Sequence, residues 1–124
     1  MERYLGESIP KLGFGFMRLP KQADGKIDLE QTKDMVDAFL QAGQTYFDTA
    51  YVYDGGDSER AIKAALVDRY PRESFQLATK LCAWMGAEDE QAAKQQFYTS
   101  LERTGAGYFD FYLLHALQPG TYQM

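Results

Sequence analysis

Four residues have the types and positions that carbonyl chemistry needs: Asp48, Tyr53, Lys80 and His115. Asp48 and Tyr53 lie within FDTAYVYDGGDSE, Lys80 closes FQLATK, and His115 closes DFYLLH. Each run reads as a short apolar strand that stops at, or just before, a polar group. When a hydride attacks a carbonyl carbon, negative charge builds on the oxygen. The site must then supply a proton and stabilise that oxygen. Tyr53 is the candidate acid, although free tyrosine holds its proton to about pH 10. An ammonium beside a phenol favours the phenolate. Lys80 is read as that cation, Asp48 as the carboxylate that holds Lys80, and His115 as a hydrogen-bond donor to the carbonyl oxygen.

These residues need elements to position them. Asp48, Lys80 and His115 recur at intervals of 32 and then 35 residues. One strand plus one helix, with their turns, produces that spacing. Right-handed crossovers bring the same ends of successive parallel strands to one rim. The expected order starts with a hairpin, Arg3–Leu5 and Ser8–Pro10 about Gly6-Glu7. A strand over Lys11–Leu19 follows, in which Gly13 and Gly15 suggest close backbone approach. A helix starts at the N-cap Asp28, with Gln31 completing a capping box. It buries Leu29, Val36, Phe39 and Leu40 and stops at Gly43. Thr45–Ala50 is the second strand. A second helix runs from Asp57 or Ser58 to before Pro71, with Ile62, Ala65 and Leu66 inward. Phe75–Lys80 is the third strand. A third helix spans about Ala87 to Thr104, burying Phe97 and Leu101, and Gly105 ends it. Tyr108–His115 is the fourth strand, apolar enough to be covered on both faces.

Two architectures share this alternation, an open doubly wound sheet and a closed barrel. GFGFMR lacks the third glycine and the immediate helix of the dinucleotide fingerprint, which disfavours the open sheet. The fold class is α/β. The 124 residues suit one domain with a modest core. Hydrophobic residues form 45% and charged residues 25%, a balance expected of a globular chain rather than a disordered one. The net charge of −5 argues against nucleic acid, which needs a basic face. It leaves room for a nucleotide cofactor held by a few cations or backbone amides. No run reaches membrane-spanning length or forms a signal peptide, so a cytoplasmic location is the default expectation.

FDTAYVYDGGDSE, ATK and SLERTGAGYFDFYLLH resemble signatures of the aldo-keto reductases, and GESIPKLGFGFMRLP resembles that family's N-terminal hairpin and first strand. The likeness runs from about Arg3 to Leu117. It implies a (β/α)8 TIM barrel that uses NADPH without a Rossmann domain and reduces aldehydes or ketones to alcohols. It implies Tyr53 as proton donor tuned by Lys80 and Asp48, with His115 orienting the carbonyl of a small-molecule substrate. It also implies cofactor contacts from Phe16, Met17 and Arg18, after the first strand, and from Asp48. Such a barrel takes about 250 residues. The chain is therefore expected to be its N-terminal part, about four strand–helix units, cut in the loop after strand four. Open sheet edges then predict self-association, and the isolated fragment is expected to be inactive. The alternatives are a non-catalytic, cofactor-binding or regulatory relative, or an inert truncated product.

Several residues have plainer readings. His115 is the single histidine, and with one cysteine, Cys82, it makes too few ligands for a zinc set, so no metal is expected. Cys82 reads as an inert small residue. Met17 and Trp84 either line a substrate pocket or pack against neighbours. Asp54, Asp57 and Glu59 read as a solvated turn and helix start, where acids suit the dipole.

Overall fold

The computed structural model describes residues 9–10, 12–82 and 89–115. Four short parallel strands form one sheet: β1 (Gly13–Gly15), β2 (Tyr46–Asp48), β3 (Gln76–Leu81) and β4 (Phe111–Leu114). Three helices alternate with them: α1 (Leu29–Gln41), α2 (Asp57–Ile62), which continues as a wider π turn over Lys63–Val67, and α3 (Glu90–Thr104). The spatial order β1-β2-β3-β4 is the order in sequence. A doubly wound sheet reverses its order at a switch point; no reversal occurs among the described strands.

Side chains alternate across the sheet, so one face meets the helices. Phe14, Phe16, Phe47 and Leu77 lie on that face, packed against α1 and α2 with Val36, Ile62 and Leu66. Phe47, fully buried, is the hub, with its ring centroid 5.2 Å from Phe39, 5.7 Å from Phe14 and 6.1 Å from Phe75. Tyr46, Asp48, Ala78, Lys80 and Phe111 take the opposite face. Tyr46 and Phe111 meet there, 5.8 Å between centroids.

The helix boundaries follow local chemistry. Asp28 accepts the amide of Gln31 at 3.1 Å. The capping box closes on one side only, because the Asp28 amide goes to the Pro20 carbonyl at 2.8 Å. Leu29 is 38% exposed and so is not part of the buried stripe; at the first position of α1 it precedes the turn that meets the sheet. Val36 is buried, and Phe39 and Leu40 are partly buried. α3 starts at Glu90 rather than Ala87, because Asp89 caps it by accepting the Ala92 amide at 2.8 Å. Phe97 and Leu101 are half-buried. Gly105 ends α3 in the left-handed region (φ 63°).

β4 departs from expectation. Tyr112, Leu113 and Leu114 are 36–57% exposed, because among the described strands β4 pairs with β3 alone. Apart from Ile9 and Pro10, the expected N-terminal hairpin lies outside the described residues, as does Trp84.

Away from the strand ends, α1 and the end of the second helix are joined by charge. Arg69 donates to both Asp37 oxygens at 2.9 and 2.8 Å, and the Tyr70 hydroxyl donates to Oδ1. The Arg69 hydrogen bonds, then that from Tyr70, hold the Asp37 carboxyl below its ordinary range. A lowered carboxyl pKa stabilises the fold above the unfolded value of about 3.9 and stops doing so as pH falls through the folded value. The stability advantage of the native chain over Asp37→Asn should therefore be constant above about pH 5 and shrink below about pH 4. Urea midpoints of the two chains across that range check this; parallel curves would contradict it.

Candidate active site

The C-terminal ends of β2, β3 and β4 meet at one rim. Asp48 ends β2 and pairs in register with Ala78 of β3. Lys80 is the next residue of β3 on the same face, so its ammonium reaches back diagonally to Asp48. Lys80 Nζ donates to Asp48 Oδ1 at 2.9 Å and Oδ2 at 2.7 Å, to the Thr49 carbonyl at 2.8 Å and to Tyr53 Oη at 3.2 Å. The ion pair is partly buried, with Lys80 14% and Asp48 30% exposed. Partial exclusion of water strengthens it relative to a surface pair.

The contact with Tyr53 has only one direction. An ammonium has no lone pair, so Lys80 donates and the phenol oxygen accepts. The phenol hydrogen is left for an acceptor other than Lys80. The ammonium also lies 4.8 Å from the Tyr53 ring centroid.

His115 directly follows β4, its amide bonded to the Leu81 carbonyl at 3.0 Å. Its ring meets that of Tyr53 edge-on, 5.5 Å between centroids at 89°. Burial, and then the Lys80 charge, hold the imidazole below its ordinary pKa, with Asp48 opposing. His115 is therefore neutral at pH 7 and keeps one N–H to donate. The structure thus brings Asp48, Tyr53, Lys80 and His115 into one cluster, although up to 67 residues separate them in sequence.

Tyr53 reaches the rim through an unusual turn. Asp54 (φ 52°), Gly55 (φ 63°) and Gly56 (φ 98°) are consecutive left-handed residues before α2. Asp54 is kept in this conformation while Lys21 bonds its carboxylate at 2.9 Å.

The residues after β1 divide. Phe16 is fully buried, 5.1 Å from the Phe14 ring. Two positions apart on one strand edge, the two side chains point to the same, helix-facing side. The Phe16 side chain is therefore part of the core. Its amide and carbonyl are also engaged, by the Asp48 carbonyl and the Ser58 hydroxyl. Met17, 53% exposed, and Arg18, also exposed, remain available at the rim. Cys82 is buried, its backbone held by the Gln96 side chain.

Sequence reasoning missed the supporting roles of Ser58 and Glu59. Ser58 is buried and bridges the Phe16 carbonyl and the Thr49 hydroxyl, both at 2.7 Å. Glu59 is fully buried, which overturns its reading as a solvated acid. It pairs with Arg103 at 3.1 Å and accepts from Thr79 Oγ1 at 2.7 Å. The available signal was faint: position 59 precedes the buried pair Ala61 and Ile62 in the first turn of α2. Asp57 is exposed, as read.

The model of the aldo/keto reductase family matches residues 11–124. The chain belongs to that family. An aldo-keto reductase of Mycolicibacterium smegmatis is 37% identical over 89% of this chain and 36% of its own length. Human aflatoxin B1 aldehyde reductase member 4 is 29% identical over 94% of the chain and 34% of its own length. Among solved structures, an aldo-keto reductase from Klebsiella pneumoniae in complex with NADPH superimposes with a TM-score of 0.73 at 28% identity. That match covers 86% of this chain and 35% of the other. The four strands and their helices are therefore part of the aldo/keto reductase TIM barrel, and the chain spans about a third of the length of the relatives it matches.

Proposed function

We propose that this family member carries the proton-donating half of an NADP(H)-dependent carbonyl reductase site, as the N-terminal part of the barrel domain. One observation carries the reading: a single ammonium, Lys80, bonded at once to the Asp48 carboxylate and the Tyr53 phenol oxygen at a strand-end rim. Active sites of such barrels lie at that rim. Tyr53 gives its proton to the carbonyl oxygen as that oxygen gains charge, and the phenolate left behind is stabilised by Lys80. Asp48 keeps the ammonium in place. Neutral His115 donates a hydrogen bond that fixes the carbonyl oxygen beside Tyr53.

The residues at the rim suit a nicotinamide nucleotide. The partly exposed Asp48 carboxylate can accept from a hydroxyl or amide, exposed Arg18 offers a cation, and Met17 an apolar surface. When bound, the nicotinamide supplies the hydride. The NADPH complex of the Klebsiella relative supports this choice of cofactor.

The proposed substrate is a small aldehyde or ketone. The 124 residues supply the acid but only about a third of the relatives' length. Turnover is therefore expected only where the rest of such a barrel is supplied, and not from these 124 residues alone. NADPH oxidation with a panel of carbonyl substrates tests it. Tyr53→Phe should lower kcat by roughly 10²–10⁴ with circular dichroism unchanged. A Tyr53→Phe enzyme of full activity would end the acid assignment, and cofactor binding without turnover of any carbonyl would favour the regulatory alternative.

A further inference from the structure

We propose that the buried Glu59–Arg103 pair is the device that sets Tyr53 against Lys80, so that both are positioning residues of the site. Neither touches the phenol or the ammonium. Their effect runs through the turn that carries Tyr53.

That turn is weakly held from within. Its internal backbone bonds are few, Tyr53 N to Ala50 O at 3.3 Å and Gly55 N to Val52 O at 3.1 Å, and the bond that ties it to β3, Tyr51 N to Lys80 O, is long at 3.4 Å. Three consecutive left-handed residues follow Tyr53, and two are glycines with no side chain to pack. Besides the Lys21–Asp54 pair, a restraint on its backbone comes from α3. Arg103 donates to the Tyr51 carbonyl at 2.9 Å, and its guanidinium lies 4.4 Å from the Tyr51 ring centroid. On the other flank it packs on Gly56, so closely that a Cβ there would stand 2.7 Å from Arg103 Cζ. Arg103 thus grips the turn on both sides of Tyr53.

Glu59 fixes Arg103 in turn. One of its oxygens takes the guanidinium at 3.1 Å and the other takes Thr79 Oγ1 at 2.7 Å. Thr79 is the neighbour of Lys80 in β3. The connections form a closed circuit: Lys80's strand, Thr79, Glu59, Arg103, the Tyr51–Gly56 turn, Tyr53, and back to Lys80.

Energy points the same way. Glu59 is wholly buried and Arg103 is 15% exposed. Desolvating the two charges of such a pair offsets much of their attraction, and apolar replacements are often as stable. Its value lies in fixing geometry, and a misplacement of about 1 Å can cost roughly a hundredfold in rate.

The kinetic consequence rests on the proposed role of Tyr53, but the positioning does not, and the experiment reads position alone. His115 is the chain's single histidine and meets Tyr53 edge-on, so its ring protons report where Tyr53 stands. The nuclear Overhauser effect between the two rings should be strong in the native chain and lost in Arg103→Met. It should be weakened in Arg103→Lys, which keeps the charge for Glu59 but not the planar fork. Arg69→Met, which breaks the distant Asp37 pair, should lower stability and leave the effect intact. If Arg103→Met does not fold, Arg103→Lys decides. An unchanged ring contact in a folded Arg103 variant overturns the proposal, even if stability has dropped. Because no turnover is read, a failure of the catalytic assignment and a failure of this one are seen separately.

Discussion

In a barrel completed with its remaining strands, replacing Lys80 by methionine should abolish the proposed carbonyl reduction, and in this chain it should destabilise the fold. The ammonium shares its three hydrogens among four oxygens, two of them on Asp48. Methionine keeps most of the apolar stem and removes all four contacts. The partly buried Asp48 carboxylate then has no cation, and the Thr49 carbonyl loses a donor. A charged hydrogen bond contributes about 1.5–3 kcal/mol. Breaking a fully buried pair costs about 3–5 kcal/mol. Asp48 is 30% exposed, so water recovers part of that cost, and a loss of about 2–3 kcal/mol is expected. The rate should fall by roughly 10³ or more, because the phenolate formed on proton transfer loses its only adjacent cation among the described residues. Adding Asp48→Asn to Lys80→Met separates the two effects. With the stranded charge removed, urea midpoints should recover in part and kcat should not. Recovery of both would mean that Lys80 serves stability alone.

Phe47→Ala should produce the largest loss of stability. Phe47 is fully buried at the centre of a ring cluster formed by Phe14, Phe16, Phe39 and Phe75. Removing a buried ring costs about 3–5 kcal/mol, because the lost transfer energy adds to the cavity left behind. Domains of this size hold only about 5–15 kcal/mol in total. The variant should therefore unfold at a much lower urea concentration. Tyr98→Ala is the comparison: Tyr98 is 60% exposed on α3, and its truncation should change stability by about 0.5 kcal/mol or less. Phe47 precedes Asp48, so the cavity opens directly behind the ion pair. Equal urea midpoints for the two variants would show that the aromatic cluster is not the core of the fold.

Local chemistry was legible without coordinates. Asp28 and Gly105 bound their helices because capping and a left-handed stop depend on a few adjacent residues. The four strands were legible because apolar runs ending in polar groups recur at one unit's length. The same period placed Asp48, Lys80 and His115 at equivalent strand ends, and the turn after β2 carries Tyr53 to them.

Other features depended on what each residue meets across the fold. Phe16 shares its turn with Met17 and Arg18, but strand alternation puts its side chain beside Phe14 in the core while theirs stay exposed. The apolar run of β4 suggested cover on both faces, but burial depends on neighbouring strands, and β4 has one among those described. Glu59 looked like Asp57, two positions before it. Helical rotation turns one to solvent and the other inward, to Thr79 from one strand and Arg103 from another helix. Motif likeness pointed to the family, and period along the chain set the repeating unit and the strand ends that carry the candidate residues. The contacts that hold Tyr53 at Lys80 join positions 20 to 52 residues apart, and only folding decides them, because the energy of a charge or a ring is set by what surrounds it.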